Sequence, residues 1–169
     1  REHFVFGNGS HNVLEMCGRA FVAPDEEVMS ANMTFVVYRL AAQSSGRTFV
    51  EVPVRDMRFD LPAMARAMTA RTKLIYIANP NNPTGTIVDR AELTAFLRDV
   101  PNDVVVVVDE AYIEYVRAGD FPDSLGFHDG HRRIITTRTF SKIYGLAGLR
   151  IGYGIAHPPL IAALEKVRE

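Results

Sequence analysis

Residues 104–112 read VVVVVDEAY: five consecutive valines, two acids, an alanine and a tyrosine. Valine is stiff at χ1 and packs well on a pleated surface, so the run predicts a strand. It does not alternate with polar residues, as a strand with one wet face would, and so it is covered on both faces. Charge appears only at its exit, as Asp109 and Glu110. An acid there can meet a cation at the sheet edge or cap the segment that follows. It also resembles the Mg²⁺-binding strand end of P-loop ATPases. That reading requires GxxxxGK[ST], and none of the three lysines (Lys73, Lys142, Lys166) lies in one.

Outward from this strand, strands and helices alternate. HFVF is a short strand, and GNGS turns it into an amphipathic helix over about 11–21, with Val13, Leu14, Cys17 and Phe21 at helical spacing. A weak strand near 27–30 leads to a helix over roughly 34–45, and RTFVEVPV is the next strand. Asp60 caps a short helix running to about Met68. KLIYIAN is a buried strand, and Asp89 with Glu92 opens a helix through a capping box. RRIITTRT and LRIGYGIA are strands, and PPLIAALEKVRE is a helix that runs to the last residue without a C-cap. The pattern predicts an α/β fold, three layers α/β/α around a mostly parallel mixed sheet, in one domain over 1–169.

Composition narrows the function. The 169 residues are 47% hydrophobic and 23% charged with net charge −1, which suits an ordinary globular domain. No basic run favours nucleic acid or an anionic membrane, and no apolar stretch approaches the roughly 20 residues of a membrane span. The single cysteine, Cys17, reads as a small buried hydrophobe. No metal-ligand spacing stands out, so no metal is expected. The N-terminus opens almost directly with a strand, which suggests a piece cut from a longer chain.

Ligands of parallel sheets bind at the carboxyl ends of strands, where GNGS, NPNNPTG, DEAY and TFSK all fall. GNGSHN can hold a phosphate on free N–H groups at a helix start, or be only a tight turn with Ser10 as N-cap. NPNNPTG is made rigid by its prolines and offers Asn82 as a positioning amide. Lys142 stands among Thr139, Ser141 and Arg150, all anion-binding groups. A lysine desolvated beside another cation becomes a usable amine nucleophile, although a surface loop lysine is the commoner case. An amine, phosphate ligands and a strand-end acid are the equipment for pyridoxal 5′-phosphate: the amine forms a Schiff base and the acid keeps the pyridine nitrogen protonated.

The order of motifs resembles the fold-type I aminotransferases, and within them most closely the histidinol-phosphate aminotransferases. NPNNPTGT, DEAYIEY and RTFSKIYGLAGLRIGYG carry the resemblance. It implies that Lys142 is the Schiff-base lysine and proton shuttle, and that Asp109 pairs with the pyridinium nitrogen. Tyr112 and Asn82 bond the ring oxygen, and Phe35 stacks on the ring. Gly9, Ser10 and His11 form the phosphate turn, completed by Thr139, Ser141 and Arg150. His11 stands where the family more often has Asp, Asn or Ser, and SANMTF lacks the proline usual before the stacking aromatic. By the same resemblance the chain is the cofactor-binding large domain. The family's N-terminal segment and its C-terminal small domain, with the arginine for the substrate carboxylate, are then missing. The implied activity is transamination of histidinol phosphate with 2-oxoglutarate by a cytoplasmic homodimer. Alternatives are another enzyme of this fold (an aromatic aminotransferase or a phospho-amino-acid decarboxylase) or a domain that binds the cofactor without turnover.

Overall fold

The structure is a computed structural model and describes residues 2–168. The valine run forms β5 (Val105–Asp109), every residue of which is buried. It sits at the centre of a seven-stranded sheet, between β4 (Thr72–Ala78) and β6 (Ile134–Thr139). Beyond β4 lie β2 (Glu27–Ala31) and β3 (Thr48–Val52); beyond β6 lie β7 (Ile151–Ala156) and β1 (Phe4–Asn8). The strand order is β1-β7-β6-β5-β4-β2-β3. Only β7 runs against its neighbours, pairing antiparallel with both β6 and β1. The other pairings are parallel, which gives the mixed sheet expected from the alternation.

Helices cover both faces. α1 (Gly9–Phe21) packs on β1, β7 and β6 and meets α2 (Val37–Ser44) and α5 (Pro158–Lys166). α3 (Leu61–Ala67) packs with α4 (Arg90–Asp99) and over β2 and β3. α1 buries Val13, Leu14, Met16 and Cys17, one stripe at helical spacing. The caps at Asp60 and Asp89 form as the sequence predicts. The Asp60 side chain accepts from the N–H of Ala63 at 3.0 Å, and Asp89 and Glu92 close a reciprocal box at 2.8 Å each way.

Four local expectations shift. The strand read as weak is β2, wholly buried because β3 and β4 flank it on both sides. α1 begins at Gly9, with Asn8 at the N-cap making no side-chain cap bond, so Ser10 lies inside the first turn instead of capping it. α2 starts at Val37, because residues 32–36 form a turn before it. α5 ends at Lys166, where the Val167 N–H closes back on the Leu164 carbonyl at 3.1 Å.

Register brings the motifs to one edge. Ala78 pairs with Asp109, Asp109 with Thr137, Thr139 with Gly152, and Asn8 with Ile151. The carboxyl ends of β1, β4, β5 and β6 therefore converge where β7 begins. At that point α1 touches the sheet backbone: a Cβ on Gly152 would lie 2.0 Å from the Ser10 nitrogen. Any side chain there would push the start of α1 off the sheet.

Candidate active site

A cavity of about 160 Å³ opens at this edge. Asp109 forms its floor and is 4% exposed. Its Oδ2 accepts from the Tyr38 hydroxyl at 2.8 Å, and its Oδ1 from the Thr137 hydroxyl at 3.0 Å. Burial pushes the carboxyl above its usual range; bonds from Tyr38, Thr137 and the Ala111 N–H, and the charge of Lys142, oppose the rise. Asp109 is therefore no simple cap of the segment after β5.

The phosphate motifs meet on one wall. Ser10, His11, Thr139, Ser141 and Arg150 all line the cavity. The Thr139 hydroxyl accepts from the Ser141 N–H at 3.1 Å, tying the turn after β6 together. Arg150 has the positive φ of 52°, uncommon for a residue with a side chain, and its carbonyl accepts the Gly9 N–H at 2.8 Å. Gly9, at φ +76°, leaves open the space its Cβ would take, 2.5 Å from Arg150 Nη2. Its expected part changes accordingly. Gly9 does not line the cavity, and its N–H is already spent on Arg150, so its lack of a side chain is what seats the guanidinium. His11 is exposed and pairs with Glu15 at 3.2 Å.

Lys142 also lines the cavity, its Nζ 5.0 Å from the centre of the Tyr112 ring. The desolvation expected of it is not seen: Lys142 is exposed, like all of residues 142–150. Phe35 and Asn82 complete the walls.

The sequence reading missed three contributors. Asn81 is buried and clamps the NPNNPTG loop to the turn before α2. Its amide donates to the Met33 carbonyl at 3.0 Å and to Thr84 at 2.8 Å, and its Oδ1 accepts from Thr34 at 2.8 Å. Asn79 binds Val88 through both ends of its amide. The asparagines thus anchor the loop together with its prolines, whose Asn79–Pro80 and Asn82–Pro83 bonds are both cis. The third is Tyr38, one helical turn beyond Phe35. Its place in TFVVY was visible, but its contact with Asp109 spans 71 residues.

The sheet edge thus gathers a buried acid, an amine and a ring of anion-binding groups around one cavity. The whole chain, residues 1–169, matches the family model of class I and II aminotransferases, and the chain belongs to that family. It is 49% identical to the histidinol-phosphate aminotransferase of Moorella thermoacetica, over all of this chain and 44% of that protein. It is 52% identical to histidinol-phosphate aminotransferase 2 of Ralstonia nicotianae, over 98% of this chain and 44% of that one. Among solved structures, histidinol-phosphate aminotransferase from Sinorhizobium meliloti, in complex with pyridoxal-5′-phosphate, superposes with TM-score 0.92 at 31% identity. That match covers 99% of this chain and 46% of the other. The chain thus spans less than half the length of these relatives.

Proposed function

We propose that this chain is the pyridoxal 5′-phosphate-binding large domain of an aminotransferase that moves an amino group between histidinol phosphate and 2-oxoglutarate in histidine biosynthesis. The observation that carries the reading is that Lys142, Asp109 and the Ser10, Thr139, Ser141 and Arg150 group line one cavity. The choice of substrate rests on the relatives' names. The length of those relatives supports a longer enzyme, with a small domain supplying the substrate-carboxylate site. A cytoplasmic homodimer rests on the family resemblance. No described helix is long and apolar enough to cross a membrane. Exposed Phe6, Tyr115, Tyr144 and Leu149 supply apolar surface for further protein to cover.

The donor set fits the cofactor. A buried carboxylate whose hydrogen bonds come only from neutral groups lacks a contacting cation, which a protonated ring nitrogen would supply. The anion cup likewise gathers an arginine, two hydroxyl residues and a helix start, where a phosphate is stabilised. When bound, the cofactor supplies an electron sink for the bonds at the substrate's Cα. Asp109 would hold the ring nitrogen, and Arg150, Ser141, Thr139 and Ser10 the phosphate. Phe35 would cover a ring face, and Asn82 and Tyr112 would orient the ring oxygen. Lys142 Nζ is the amine for the aldehyde and the base that carries the proton to and from Cα; its exposure leaves it open to both.

Borohydride reduction of the full-length protein with pyridoxal phosphate, followed by peptide mapping, tests this reading. The pyridoxyl label is expected on Lys142; a label elsewhere, or none, overturns it.

A further inference from the structure

Asp109 does not hold its orientation alone. The hydroxyl on its Oδ2 belongs to Tyr38, which is 1% exposed and lies face to face on Tyr76, with ring centroids 4.6 Å apart and planes 4° from parallel. The Tyr76 hydroxyl is anchored on the Leu14 carbonyl of α1 at 2.7 Å. On another side, the Phe35 ring meets Tyr38 edge-on at 5.7 Å. The phenol cannot swing away without unpacking α1, α2 and β4. Its one proton points at Oδ2, which must remain an acceptor.

We propose that Tyr38 is a positioning residue for the cofactor reaction: it fixes the plane of the Asp109 carboxyl and holds its Oδ2 in the acceptor, ionised form. The inference rests on the reading that the cavity takes pyridoxal phosphate. Three titratable groups act on Asp109 from the elements around it: Tyr38 from α2, Tyr76 from β4 and Lys142 from the turn after β6. Arg150, His11 and Tyr112 line the same cavity, whereas Glu110 turns to the other face of the sheet. Tyr38 stays neutral, since burial and then the Asp109 charge raise its own pKa well above the usual value. Without its hydroxyl, Asp109 loses a bond that favours the ionised form and binds its proton more tightly.

The test is Tyr38→Phe in the full-length protein, which keeps the ring and the stack. Pyridoxal phosphate affinity of the apoprotein is read by fluorescence quenching across pH. The acid limb of binding is expected to move up by about one pH unit, the roughly tenfold that one hydrogen bond to a charged group is worth. In an Asp109→Asn background, Tyr38→Phe should add nothing. An unmoved limb, or an equal loss in both backgrounds, overturns the proposal and leaves Tyr38 a packing residue. If Tyr38→Phe does not fold, Thr137→Val removes the opposite donor. The same upward shift supports the hydrogen-bonded carboxylate, and no shift overturns it. Asp109→Asn separates the two readings. If its affinity is unchanged, the cofactor reading fails. If it binds weakly while Tyr38→Phe binds normally, only the Tyr38 inference fails.

Discussion

Asp109 and Glu110 are neighbours in sequence, both carboxylates and both buried, yet their surroundings differ completely. Strand geometry sends them to opposite faces of the sheet. On the far face, Glu110 is closed off: Arg138 reaches it at 2.8 Å, the Ser124 N–H donates at 2.8 Å, and Arg138 also binds Asp123 at 3.0 Å. On the α1 face, Asp109 receives neutral hydroxyls and lines an open cavity. Burial raises both pKa values, but a contacting arginine opposes the rise only at Glu110. A charge compensated within the chain builds structure, whereas one left for an incoming cation builds a site.

Substitution separates the two most sharply. Asp109→Asn should weaken pyridoxal phosphate binding by on the order of a hundredfold, the loss of one buried charge partner, and leave the fold intact. Glu110→Gln should do the reverse, costing up to about 3 kcal/mol of stability by removing the buried charge and leaving Arg138 to the more exposed Asp123, while the cofactor affinity of the folded protein holds. Equilibrium denaturation and cofactor titration of both variants measure this. Equal effects on affinity would erase the distinction.

Proton linkage gives a smaller, graded test. Each carboxyl holds its proton more tightly folded than unfolded, so its contribution to stability is complete below the unfolded pKa of about 4 and is lost as pH rises through the folded value. Their part of apoprotein stability should therefore fall with rising pH above that point. Asp109→Asn should flatten part of the fall, and saturating cofactor should flatten the same part by supplying the missing cation. Chemical denaturation at several pH values checks it; a fall that neither change alters would show that Asp109 is not its source.

The layered sheet was legible because its signals are local. Valine and isoleucine runs mark β4 to β6, and caps at Asp60 and Asp89 mark helix starts by residue type alone. The motifs at the strand exits were legible for the same reason, since a parallel sheet sends every such exit to one edge. What escaped the sequence is long-range pairing. Nothing near Tyr38 announces a carboxylate on β5, and nothing in DEAY says which acid meets Arg138. Gly9 was read as a backbone donor, but its bond to Arg150 depends on β7 returning antiparallel beside β1. Desolvation of Lys142 likewise depends on another element packing over its turn, which the neighbouring Thr139, Ser141 and Arg150 do not reveal.

The central claim, that one amine and one carboxylate at this edge serve the same small ring, is tested most directly by the absorption spectrum of the full-length protein on adding pyridoxal phosphate. Wild type should develop the visible band of a lysine-bound cofactor, and Lys142→Ala should not. The same band in both proteins, or in neither, would contradict the account.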